Sequence, residues 1–372
     1  MLCATIYQAS YGKKFFGGTL IVAGMLLLQG CSQEPEPLLA EVSCQDVGDI
    51  EVVCGFHRPE DLELTPDGSY LIVSEMNGTI DATFDPGRLS FYDLRTRKRI
   101  TADLELDATP GWGDPNCQSP EHLDFSPHGI YLQTQTQHPY PVLAVVSHYP
   151  REAIEIFSLQ HQEDGRPYLV WRGCLIPPGM PFLNDVAITT DGTFYFTHMF
   201  DRDAWGFGLI ARLVLSWDTG FVWSWSPATG YNKVPGSDGS FPNGISLDPD
   251  AGILLVNYYT DNLMQTFSLE TGNRLGAFEI QFPDNVSYVD GVAYVASHQI
   301  ELGGSDACAH LTSTCPLPYS IYRIDPVTLE GEQILYGDGP PFGLATVAIP
   351  VERRLWMGSF TGDRIASAPL AR

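Results

Sequence analysis

Positive charge is scarce in this chain. Its 372 residues carry 20 Lys and Arg against 45 Asp and Glu, a formal net charge of −25. No polybasic stripe runs through it, which excludes an electrostatic grip on nucleic acid. Charged residues of both signs make up only 17%, too few for a surface of solvated helices. Long apolar runs are also few. The stretch Phe15–Leu28 has 14 residues, short of the roughly 20 that a membrane-spanning helix needs. No two cysteines stand at the close spacing of a zinc site, which argues against structural zinc.

Turn formers are abundant instead. Gly 36 and Pro 28 point to an all-β protein with many hairpins. The length is generous for one ordinary core and comfortable for a repeat architecture.

The first thirty residues read as a targeting segment. Lys13 and Lys14 precede the apolar run, which ends in Leu28-Gln29-Gly30-Cys31. That ending resembles a bacterial lipobox, with Gln29 a less usual residue in its place. It implies an exported bacterial lipoprotein, lipidated at Cys31 and facing the periplasm or cell surface. A plain secretory signal and an uncleaved anchor are the alternatives. Residues 31–41 read as a tether and 42–372 as one domain, expected to be a monomer that meets the membrane only through the anchor. Outside the cytosol cysteines pair. Spacing suggests Cys44–Cys54 and Cys308–Cys315 as local staples, leaving Cys117–Cys174 to pair across repeat units.

One short frame recurs six times: usually Pro, then a variable residue, a small or polar one, and an aliphatic residue opening a strand. The copies are Pro59-Glu-Asp-Leu62, Pro127-His-Gly-Ile130, Leu183-Asn-Asp-Val186, Pro242-Asn-Gly-Ile245, Pro283-Asp-Asn-Val286 and Pro341-Phe-Gly-Leu344. Their variable positions lie 68, 56, 59, 41 and 58 residues apart. Turns such as Thr65-Pro-Asp-Gly68 and Thr189-Thr-Asp-Gly192 follow, and an apolar strand answers each frame. Four short strands per loose repeat predict an all-β, six-bladed β-propeller with a central calcium-lined channel. The last blade lacks a full strand set, so a segment near Val42–Val53 is expected to complete it. A β-sandwich or a pair of barrels would not explain the recurring frame.

In a propeller the innermost strands line the channel, so the variable positions form a ring at one mouth. Glu60, Asn184, Asn243, Asp284 and the adjacent Asn285 bring carboxylate and amide oxygens there. Hard oxygens without sulfur select Ca²⁺ over zinc or copper. His128 is the single imidazole in that ring, suited to act as general base or proton shuttle. Phe342 is its apolar member. A second register, the residue ending each answering strand, holds Glu75, His148, His198, Tyr258, His298 and Phe360. His198, His298, Tyr258 and Phe360, with Phe342, are expected to wall a substrate pocket. Each of these residues taken alone is an ordinary turn, core or surface residue; the shared register sets them apart.

Pro127-His-Gly-Ile130, Val145-Val-Ser-His148, Leu183-Asn-Asp185, Pro242-Asn-Gly-Ile-Ser246, Asp284-Asn-Val-Ser287 and the closing Ala345-Thr-Val347 to Gly358-Ser-Phe360 resemble the paraoxonase/arylesterase family of calcium-dependent lactonases. The resemblance runs in order from Glu60 to Phe360. It implies a catalytic Ca²⁺ on Glu60, Asn184, Asn243, Asp284 and Asn285. It also implies a second, structural Ca²⁺ on Asp61, Asp185 and the carbonyl of Ile130. His128 would activate water with His148 relaying the proton, and Asp284 is an alternative nucleophile. Lactones lead as substrates, with aryl esters beside them. The animal members close the ring with a terminal disulfide; the tail after Ile365 has no cysteine, so closure here falls to strand pairing and the partner of Cys44 and Cys54 stays open. A gluconolactonase-type sugar lactonase and a non-catalytic, calcium-stabilised propeller that binds protein or glycan are the competing readings.

Overall fold

A computed structural model describes residues 39–370, apart from 79–83, 205, 207, 210, 211, 213, 214, 216 and 302. The targeting segment, Cys31 and the tether as far as residue 38 lie outside the described residues.

Six sheets make six blades. Their innermost strands are Pro59–Leu64, Pro127–Gln133, Pro181–Ile188, Pro242–Asp248, Pro283–Val289 and Ala345–Val351. Each pairs antiparallel with an answering strand: Tyr70–Glu75, Val142–Ser147, Phe194–Asp201, Ile253–Tyr258, Val292–His298 and Arg354–Ser359. Blade two adds a fifth strand, Leu104–Leu106, parallel to its outer edge. Blade six is finished by the beginning of the domain. Glu51–Cys54 pairs antiparallel with Arg364–Pro369, Glu51 opposite Ser367. The expected closing strand is therefore present, later than Val42 and only four residues long.

The hairpins follow from their turn residues. In Thr65–Gly68 the Thr65 hydroxyl donates to Asp67 at 2.6 Å, and Gly68 takes a φ of 70° that a side chain would resist. Thr189–Gly192 repeats the device with Gly192 at 86°.

The core lies between blades. Ile72 and Phe91 of blade one pack on Leu143, Phe157 and Trp171 of blade two. Leu62 and Val73 meet Val347 and Ile365 across the closure. Each such fully buried side chain contributes roughly 1.5–3 kcal/mol. Polar latches add direction. Ser74 donates to the His128 carbonyl, Asn257 to that of Asp284 and Thr346 to that of Glu60, each reaching the next blade.

All three expected cysteine pairs are bonded. One expectation about them needs correcting. Cys117 and Cys174 do not join two blades: Cys174 sits on the blade-two strand Pro167–Leu175, and Cys117 lies in the loop that leads into that same blade. The loop after Thr101 belongs to blade two because it carries Leu104–Leu106.

Candidate active site at the propeller mouth

Every innermost strand bulges at its start. The register slips at Pro59/Asp61, Pro127/Ile130, Leu183/Val186, Pro242/Ile245, Pro283/Val286 and Ala345/Val347. A bulge re-aims side chains, which is how a frame residue turns into the mouth. Five of these slips fall on the frames read from sequence. The sixth does not. It lies four residues beyond Phe342, so the ring residue of blade six is Thr346. Phe342 is buried against Tyr319, ring centroids 5.5 Å apart. Pro341 imitates the frame but belongs to the loop before the strand.

The ring is built from Glu60, His128, Asn184, Asn243 and Asp284, with Asn285 beside the last, and all six are at least 90% buried. Asn285 donates to Glu60 Oε1 at 2.9 Å. His128 Nε2 stands 3.7 Å from the same oxygen and 3.5 Å from Asn184 Nδ2. His298 Nε2 lies 3.4 Å from Asp284 Oδ2 without making a hydrogen bond. One layer deeper, Asp61 accepts the N–H groups of Leu62 and Ile130 at 2.8 and 2.7 Å, and Asp185 those of Val186 and Ile245 at 2.7 and 2.8 Å. Both acids thus tie their blade to the next. Ile130 meets Asp61 through its N–H, a contact that the expected carbonyl role did not foresee. With Asn285, these residues line a channel cavity of about 90 Å³.

Burial dominates the electrostatics. It pushes Asp61 up to about 7, and Asp284 and Glu63 up to about 8. Glu60 and Asp185 are raised well above the carboxylate range by burial and by repulsion from neighbouring acids. Among the described residues no Lys or Arg pairs with any of these five. His128 is held well below the ordinary histidine value, first by burial and then by His148 beside it, so it rests neutral.

The unpartnered atoms of the donor set are oxygens. Glu60 Oε2, Asn184 Oδ1, Asn243 Oδ1 and Asn285 Oδ1 are buried and have no hydrogen-bond partner. A buried, unpaired oxygen is costly, and four blades each supply one. The set fits a hard cation that takes oxygens. Among the described residues no group of three or more His, Cys, Asp and Glu could hold a metal by itself; this ring depends on its amides.

The dyad is compact. His128 Nδ1 and His148 Nε2 are 2.7 Å apart. His148 continues to Glu152, Nδ1 to Oε1 at 2.9 Å, and Glu152 is ion-paired with Arg202. Neither Glu152 nor Arg202 stands in a register visible in the sequence. Phe182 stacks on His148 at 4.4 Å and on Phe200 at 4.8 Å.

The pocket wall differs from the expected one. The rings of His298 and Phe360 are 5.7 Å apart, and His298 lies beside Asp284. Tyr258 does not join them. Strand alternation sends it into the core between blades, where its hydroxyl donates to the Ser237 carbonyl at 2.8 Å. The next residue, Tyr259, turns to the mouth, its hydroxyl hydrogen-bonded to His298 Nδ1 at 2.8 Å. His198 is buried at its register position but pairs with Asp201 at 3.0 Å and packs on Phe221. Phe84, Phe182, Phe200 and Phe241 instead form an aromatic cluster that packs on His148. Phe182, Phe200 and Phe241 sit one or two residues from Leu183, His198 and Pro242, and Phe84 lies in the loop between the strands Tyr70–Glu75 and Arg88–Asp93.

A six-bladed propeller with a buried oxygen ring and a histidine pair at one mouth defines the class. The arylesterase family model matches residues 43–295, from the closing strand into blade five. The chain belongs to the arylesterase family and is a hydrolase. Among curated proteins none matches it. Solved structures share the fold at low identity. A luciferin-regenerating enzyme is 12% identical over 86% of this chain and 95% of that one, TM-score 0.52. A gluconolactonase from Xanthomonas campestris is 17% identical over 87% and 90%, TM-score 0.49. At such identities the likeness concerns the fold alone.

Proposed function

We propose that this chain is a calcium-dependent hydrolase that opens lactones and cleaves aryl esters, with His128 as general base. The observation that carries the reading is the set of four unpartnered buried oxygens in the ring that also holds His128. Glu60, Asn184, Asn243, Asp284 and Asn285 would hold one Ca²⁺. Asp61, Asp185 and Ile130 would hold a second, structural ion in the channel. The catalytic ion would supply fixed positive charge for the ester carbonyl oxygen as it becomes negative. His128 Nε2 takes a proton from the attacking water, and His148 shares the resulting charge. Phe182, Phe360 and Tyr259 exclude water from the mouth and hold an apolar acyl or ring group. That aromatic wall favours hydrophobic lactones over sugar lactones. The family-like leader before Cys31 supports export and a lipid anchor on the outer side of the membrane; substituting Cys31→Ser should release the protein from membranes.

The test is substitution of Asp284→Ala or Asn243→Ala, with a panel of γ- and δ-lactones of varied chain length, with and without chelator. Both variants should lose at least 10²-fold in kcat, and chelator should inactivate and destabilise the wild type. Full activity after exhaustive chelation would overturn the calcium reading.

A further inference from the structure

The histidine pair does not end at His148. Its Nδ1 faces both oxygens of Glu152, at 2.9 and 3.1 Å. Glu152 is fixed from two more sides. Its Oε1 accepts the Leu183 N–H at 2.6 Å, and its Oε2 is ion-paired with Arg202. Arg202 in turn lies over Phe84 and Phe182, 5.8 and 5.1 Å from their ring centres. The His148 side chain is fully enclosed, and Phe182 stacked on one face limits its rotation.

Hydrogen-bond chemistry then assigns the protons. A carboxylate paired with Arg only accepts. Arg202 Nη2 also approaches His148 Nδ1, but only at 3.5 Å; the closer Glu152 oxygens put the hydrogen on Nδ1, and in the neutral ring Nε2 is a lone pair. His128 Nδ1, at 2.7 Å, has to donate to it. That leaves His128 Nε2 as the lone pair, met only by the long contact from Asn184 Nδ2 at 3.5 Å, with Glu60 Oε1 at 3.7 Å.

We propose that Glu152, held by Arg202 and the Leu183 N–H, is a positioning residue that sets both imidazole tautomers and so points the basic nitrogen of His128 at the substrate. This rests on the hydrolase reading above. In the step it serves, a water O–H bond breaks, its proton goes to His128 Nε2, and the hydroxide oxygen bonds to the ester carbon. The Nδ1 hydrogen of His128 moves towards His148, whose charge settles against Glu152. The proton on Nε2 returns to the departing alkoxide when the C–O bond breaks, and the shared hydrogen settles back on His128 Nδ1, which restores the pair. Without Glu152, His148 Nδ1 is free to become the acceptor. The pair then reverses and places N–H, not a lone pair, on His128 Nε2.

The experiment uses the full, calcium-loaded chain and three variants: Glu152→Gln, Glu152→Asp and Arg202→Met. Imidazole nitrogen NMR shifts report the tautomers; kcat, KM and calcium affinity are measured on an aryl ester and a lactone. Glu152→Gln should lose roughly 10–100-fold in kcat, with KM and calcium affinity unchanged and His128 shifted to the Nε2–H form. Glu152→Asp should recover part of the rate. A wild-type spectrum with His148 protonated on Nε2, or a Gln variant with undiminished kcat, overturns the proposal. So does a rate loss that only follows loss of calcium. If the wild type hydrolyses nothing, the hydrolase reading fails while the spectra still decide the tautomers. If Glu152→Gln does not fold, the wild-type spectrum and Arg202→Met decide in its place.

Discussion

Replace Gly129 by Ala and the channel itself is challenged. The third frame position alternates around the ring: Asp61, Gly129, Asp185, Gly244, Asn285 and Val347. A Cβ on Gly129 would stand 2.4 Å from Asp185 Oδ1 and 2.6 Å from both the Asn184 carbonyl oxygen and the Asp185 Cα. Gly244 meets Asn285 and the Asp284 carbonyl in the same way, at 2.4 and 2.6 Å. Gly129 is not in the left-handed region, so Ala there carries no backbone strain. Replacing a strand glycine should on its own gain about 0.5–1 kcal/mol. Overpacking against backbone opposes it with roughly 1–3 kcal/mol. The net expectation is a loss of up to about 2.5 kcal/mol, read at about 2–4 °C of Tm per kcal/mol. The atoms pushed aside belong to Asn184 and Asp185, so calcium affinity should fall as well. A displacement of about 1 Å at the ring should lower kcat by about 10²-fold. Differential scanning calorimetry with a calcium titration and a lactone assay measures all three. An Ala variant with unchanged or higher Tm and normal activity would refute the close-contact account of the ring.

The remaining predictions concern the closure. Arg364 is buried and donates to the carbonyls of Val42, Ser43 and Pro341 as well as to Asp363; Arg364→Met orphans those acceptors and should cost about 3 kcal/mol in denaturant unfolding. Glu41 accepts from Thr312 and Ser313, which lower its pKa to about 2. A depressed carboxylate stabilises above its ordinary pKa of 4.5 and loses that contribution as pH falls towards 2. Proteolysis of the segment before Cys44 should therefore accelerate on acidification through that window, and Glu41→Gln should show the fast rate already at pH 7.

Much of the fold was legible because the frame carries a local signal. Proline stands where the bulge starts in four of the six inner strands, at Pro59, Pro127, Pro242 and Pro283, with Leu183 and Ala345 in the other two. The closing strand was legible by subtraction, since blade six ran out of chain. Thr346 was missed because Pro341 offered a better local match than Ala345, which marks the true bulge. Tyr258 was misplaced for a different reason. Period-two alternation makes a one-residue error a reversal of face, and the mouth belongs to Tyr259. Glu152 and Arg202 left no trace, because their roles come from contacts with Leu183, His148 and Phe182 in strands of other registers. No spacing rule connects a loop residue of blade two with one beyond the end of a strand in blade three.

Those contacts also explain why the site and the ring closure are one structure. Ser74, Asn257 and Thr346 bind the carbonyls of the ring residues of the following blade, and Asp61 and Asp185 bind the following blade's N–H groups. Glu60 is reached from both directions: Thr346 of blade six holds its carbonyl, and Asn285 of blade five holds its carboxylate. Its place in the ring is therefore set only when Glu51–Cys54 has paired with Arg364–Pro369. A blade folded by itself would present the right side chains with nothing to aim them. The oxygens left unpaired at the mouth are those the latches do not consume, and that remainder is what a cation can use.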